Sequence, residues 1–196
     1  MRIAALLLLL AVRGFAQDAA EPSFAKKINA AALERTEATV RYDPKYVVLE
    51  YPGGDVPAGT GVCTDVVVRT LRAAVGIDLQ KEVHEDMKAH FSKYPKNWGA
   101  KRPDKHIDHR RVPNLQRYFE RHGAKLKITK NSADYKPGDL VAWDLTGRGL
   151  WHIGVVVEHP EKKTPWIVHN IGAGPELEDC LFKWKLIGHY RLKGLE

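Results

Sequence analysis

Apolar residues recur at helical spacing in four separate stretches of this chain. In FAKKINAAALERTEATVRYDP, Phe24, Ile28, Ala31 and Ala32 share one side before Asp43-Pro44 stops the run, which predicts an amphipathic N-terminal helix. Cys63, Val66, Val67, Thr70, Leu71 and Ala74 mark one face of a second helix that ends at Gly76. LQKEVHEDMKAHF places Leu79, Val83 and Met87 on one side, with His90 or Phe91 continuing that face. VPNLQRYFERHG has Pro113 near its start and Gly123 just past its end, the punctuation of a helix.

The second half of the chain changes period. Alternation or short apolar runs in AKLKIT, LVAW, HIGVVVE, WIVHN and IGHYRL, joined by short turn-rich connections, predict about five antiparallel strands. A further β-like run spans Tyr46 to Tyr51 and breaks at Pro52-Gly53-Gly54. Helices first and strands later describe an α+β fold, N-terminal helices packed on a C-terminal sheet. Between the third and fourth helices, SKYPKNWGAKRPDKHIDHRR has no period and reads as a long surface loop of the functional kind.

The 196 residues suffice for one core. The first segment, MRIAALLLLLAVRGFAQDAA, has a basic start, a short apolar run and small residues, the layout of a secretory signal peptide over 1–16, cleaved as late as 20. Residues 17–196 are then a single domain, periplasmic or secreted, with no membrane span. Losing Arg2 and Arg13 and no acid lowers the formal charge from +7 to +5, a modest excess that suits an anionic wall polymer or simple solubility. Nucleic acid is a poor partner, because no basic stripe interleaved with aromatics is present.

Export also makes a Cys63–Cys180 disulfide permissible, so Cys63 has three readings: half of that disulfide, a small buried hydrophobe, or a nucleophile. Gly59 and Gly61 leave its approach open, and the free N–H groups and partial positive charge of a helix start favour a thiolate. A cysteine nucleophile needs an imidazole to carry its proton and a third group to orient that ring. His152 opens one strand run and His169 closes the next; on adjacent antiparallel strands both rings lie at one end of the sheet. Asn170 is the alternate third residue, since the pleat turns only one of the pair toward the site.

GVCTDVVVRTL, GDLVAWDLTGRGLWHIGVVV and IVHNIG, in this order, resemble the cysteine helix, histidine strand and third-residue strand of NlpC-type cysteine peptidases. That papain-like superfamily cleaves peptidoglycan stem peptides. More extensively, YPGGDVPAGTGVCTDVVVRTLR, GIDLQKEVHEDM, HIDHRRVPNLQRYF, YKPGDLVAW, HIGVVV and VHNIGAG resemble the bacterial domain of unknown function family 1287, over roughly residues 35 to 193. The resemblance implies a papain-like fold, Cys63 as nucleophile, His152 as general base and acid, His169 as the third residue, and no cofactor. Val62 stands where the NlpC pattern has Asp, and Thr64-Asp65 where it has Ser-Gly.

Other residues carry weaker signals. Arg110 and Arg111 would suit the carboxylates of wall peptides, with Asp65, Asp108, His109 and Trp151 as further substrate contacts. His84, Asp86, His106, Asp108 and His109 include metal-ligand types at short spacing, so a metal-dependent hydrolase is one rival. A non-catalytic wall-binding module is another. The leading expectation is an exported cysteine peptidase or amidase acting on peptidoglycan, with acyl transfer to an amine open to the same machinery.

Overall fold

The computed structural model describes residues 22–159, 161–162 and 164–193. The expected signal peptide lies outside the described residues. Four helices precede the main sheet: α1 (Phe24–Glu34), α2 (Cys63–Val75), α3 (Leu79–His90) and α4 (Val112–Arg121). Between α1 and α2, the two-residue strands β1 (Arg41–Tyr42) and β2 (Thr60–Gly61) pair in parallel. The sheet then follows as β3 (Leu140–Asp144), β4 (Trp151–Glu158), β5 (Pro165–Asn170), β6 (Pro175–Glu178) and β7 (Lys185–Tyr190), all antiparallel in the order β6-β5-β4-β3-β7. Among the described residues no helix is long and apolar enough to cross a membrane.

Strand alternation divides the interior into two layers. Ile153, Val155 and Val157 of β4, with Leu140, Ala142 and Val168, pack against Val67, Leu71, Val83 and Leu115 of the helices. Cys63 belongs to this helix-side layer. Val141, Trp143, Val156 and Ile167 face the other way and are covered by Tyr135, Cys180 and Leu181. The three inner strands, β5, β4 and β3, are therefore largely buried on both faces, which explains their near-continuous apolar runs.

The helices run as the periodicity predicts. α2 begins at Cys63 and ends where Gly76 takes φ 70°, a left-handed turn that favours glycine. The α+β class and a five-stranded antiparallel sheet also stand, but two strands differ from expectation. AKLKIT makes only a bridge from Lys125 to Tyr190 and a hydrogen bond from the Leu126 N–H to the His189 carbonyl. The fifth strand is instead β6, in an acidic run beginning with proline that lacks a β-like pattern. Residues 46–51 form no strand, because no neighbour offers a ladder; Val48 is exposed and the Leu49 N–H donates to His106 Nδ1.

Candidate active site

Cys63 opens α2 at the N-terminal end of its first turn. That turn is built by Asp65: its Oδ2 accepts the Val62 N–H at 2.7 Å, and its own N–H donates back to the Val62 carbonyl. Arg110 clamps the same carboxylate from Nε and a terminal nitrogen, both at 2.9 Å, and also donates to the Lys45 and Asp43 carbonyls. Both side chains are buried. The helix start is thus held by a bidentate ion pair spanning 45 residues of sequence.

β4 and β5 pair from Val155 and Val168 onward, so the ladder between them stops short of the start of β4 and the end of β5. The Cys63 sulfur lies on the helix side of this unpaired stretch, where the backbone N–H of Ile153 points to it. Burial raises the thiol to about 12; the Ile153 and Thr64 N–H groups oppose that rise, while Asp65 adds to it. The resting sulfur is therefore a neutral thiol.

The imidazoles meet on the other face of the sheet. His152 alternates with Ile153 and stacks on Trp143 of the far layer, and His169 approaches from β5. His152 Nε2 and His169 Nδ1 are 2.8 Å apart, and His169 Nε2 is 2.8 Å from Glu178 Oε2 on β6. A carboxylate only accepts, so His169 donates from Nε2 and accepts at Nδ1. His152 then donates from Nε2, and its Nδ1 keeps a lone pair with no hydrogen-bond partner among the described residues. Burial, helped by the neighbouring His169, lowers His152 to about 3, and burial also lowers His169 despite the opposing Glu178. Both rings are neutral at pH 7. Gly154 permits their approach, since a Cβ there would lie 2.6 Å from Ile167 Cγ2 and 3.1 Å from His169 Cβ.

The expected hydrogen bond between Cys63 and His152 is not formed among the described residues. The pleat turns the ring away from the layer that holds the thiol, and each is bonded elsewhere. Asn170 has the opposite orientation to His169 along β5, and its buried Nδ2 has no partner. Both cysteines are free, with Cys180 in the far layer, so the disulfide alternative is not realised.

Cys63 lines a cavity of about 160 Å³ with Tyr42, Trp98, Arg110, Arg111 and Trp151. Trp98, in the long loop, takes φ 61° and lies edge-on to Trp151 at 5.8 Å, while the Arg111 guanidinium stacks over it at 4.6 Å. Of the six expected substrate contacts, Arg111, which also pairs with Asp108 at 3.6 Å, and Trp151 line this cavity. Arg110 lines it but is committed to Asp65. Asp65 instead lines a larger neighbouring cavity of about 390 Å³, which shares Val62 with the first. Asp108 and His109 line neither. Asp108 is buried and accepts from the Asp104 N–H and Asn114; burial lifts its carboxyl to about 6. His109 is buried and lowered to about 4, first by desolvation and then by Arg110.

Sequence reasoning missed Tyr42, Trp98 and Glu178. Tyr42 and Trp98 lie in irregular segments, where no period says what they face. Glu178 was hidden because β6 went unrecognised; its pairing with the WIVHN strand is the signal that would have placed it beside His169.

Helices on one face of an antiparallel sheet, with a cysteine at a helix start and a histidine pair on adjacent strands, describe an α+β protein. The chain belongs to the domain of unknown function family DUF1287, which it matches over residues 29–192. It is 53% identical over 161 residues to the uncharacterized protein YijF of Escherichia coli K12, covering 82% of this chain and 78% of that one. Its fold is similar to the crystal structure of an N-acetylmuramoyl-L-alanine amidase from Bacteroides uniformis, at TM-score 0.52 and 13% identity over 87% of this chain and 99% of that one.

Proposed function

We propose that this protein is an exported thiol amidase of the cell envelope that cleaves amide bonds in peptidoglycan stem peptides. The observations that carry this reading are the Glu178–His169–His152 chain and a buried thiol at the start of α2 whose sulfur meets the N–H of Ile153, the residue after His152. An orienting carboxylate and a base in a fixed tautomer are what a cysteine nucleophile requires.

The neutral thiol and neutral ring define the course of reaction. Substrate enters the Cys63 cavity, the start of β4 rearranges to bring the His152 ring from the far face of the sheet to the thiol, and proton transfer accompanies attack on the carbonyl rather than preceding it. The first N–H groups of α2 hold the developing oxyanion. His152 returns the proton to the leaving amine, and water then releases the acyl group from sulfur. Arg111 and the Trp98–Trp151 pair supply a cationic and aromatic wall for a peptide bearing carboxylates. The fold similarity to an amidase supports this class of reaction.

The test is digestion of purified sacculi by the wild type and by Cys63→Ala, with released fragments weighed. New amino and carboxyl ends with the wild type alone are expected. Equal release by both proteins would overturn the reading.

A further inference from the structure

The far layer contains a group of ligand atoms that the amidase reading does not use as such. His169 Nε2 lies 2.8 Å from Glu178 Oε2 and 3.5 Å from Cys180 Sγ, and one donor atom from each residue falls within 4.8 Å of the others. The three come from β5, from β6 and from the turn that follows it, so the fold holds them together. His169 and Cys180 are buried, whereas the Glu178 side chain is 35% exposed and opens the cluster to solvent.

We propose that His169, Glu178 and Cys180 form a binding site for a divalent transition metal of the zinc type. One imidazole nitrogen, one carboxylate and one thiolate are a ligand set that zinc accepts, with a fourth position left toward solvent at Glu178. The outer contact also fits. A ligating histidine donates its second ring N–H to an acceptor that fixes its orientation, and His152 Nε2 is already 2.8 Å from His169 Nδ1. A calcium or magnesium site is disfavoured by the sulfur and nitrogen donors.

Occupation would reverse the proton order along the imidazole pair. Ligation needs a bare His169 Nε2, so that nitrogen gives up its proton, and His169 Nδ1 takes the proton from His152 Nε2. His152 regains one at Nδ1. The ring protons balance, and the Cys180 thiol releases one to solvent. His152 then presents an N–H where the proposed amidase needs a lone pair, so the metal would silence it. This consequence rests on the amidase reading; the site itself does not.

Zinc or cobalt alone is the probe, titrated into protein carrying Cys63→Ala so that only one thiol remains. One equivalent should bind, with cobalt giving a thiolate charge-transfer absorption that Cys180→Ser abolishes. His152→Ala should weaken binding roughly 10–100-fold. Circular dichroism and thermal unfolding establish that each variant is folded. In protein with isotope-labelled histidine, zinc should move the His152 ring proton from Nε2 to Nδ1. Absence of stoichiometric binding, or binding unchanged in folded Cys180→Ser and Glu178→Gln, would overturn the site. An unchanged His152 tautomer with zinc bound would overturn the coupling, whether or not the protein proves to be an amidase.

Discussion

Nε2 of His152 and Nδ1 of His169 lie 2.8 Å apart at the end of the sheet where β4 and β5 have ceased to pair. The backbone ladder stops before these residues, and the rings make their contact on the face away from the helices. On the helix side the Ile153 N–H points to the Cys63 thiol.

Gly154 controls that contact. Gly154→Ala would force a methyl group to 2.6 Å from Ile167 Cγ2 and toward His169, so β5 must shift. The expected cost is about 1–3 kcal/mol of stability, read by denaturant unfolding. Loss of the hydrogen-bonded His152–His169 signature in histidine NMR should accompany it. An unperturbed pair would show that the glycine has no such role.

The Asp65–Arg110 pair holds the helix start. Asp65→Ala leaves a buried guanidinium with two unmatched donors and should cost about 3–5 kcal/mol. Replacing both partners by apolar residues should recover much of that loss. A double-mutant cycle in urea measures the difference.

Cys63 should alkylate slowly near neutrality. With the thiol raised to about 12 by burial, the thiolate fraction grows tenfold for each pH unit below that value. The rate with iodoacetamide, followed by peptide mass, should keep climbing through about pH 10. A plateau reached below neutrality would instead indicate a preformed thiolate–imidazolium pair.

Acid should weaken the contact between α3 and α4. Burial alone would raise Asp86, but hydrogen bonds from Arg121 and Tyr94, together with the Arg121 charge, lower it from 3.8 to about 2. A carboxyl depressed in the folded state contributes stability above its unfolded pKa and loses it as pH falls toward the folded one. Thermal unfolding should therefore fall more steeply between about pH 4 and pH 2 in the wild type than in Asp86→Asn.

Much of this arrangement is legible in the sequence. The helical period of α2 placed Cys63 in a first turn, and the runs around His152 and His169 placed both on adjacent strands. The faces were harder to read. Both sides of β4 are buried, so its apolar run carries no alternation to say which way His152 points. The pairing that stops before the strand ends is likewise invisible in composition. Arg110 read as a substrate contact because an exposed-looking loop gives no hint that it folds back on Asp65. β6 is hidden because a proline and two acids disguise a strand that depends on its neighbour.

The most direct test of the nucleophile is to quench digestion of isolated muropeptides with acid and weigh the intact protein. The account predicts an added acyl mass that maps to the Cys63 peptide, is absent from Cys63→Ala, and builds up far more slowly in folded His152→Ala. Amide cleavage that continues at the wild-type rate in Cys63→Ala, with no adduct on sulfur, would contradict it.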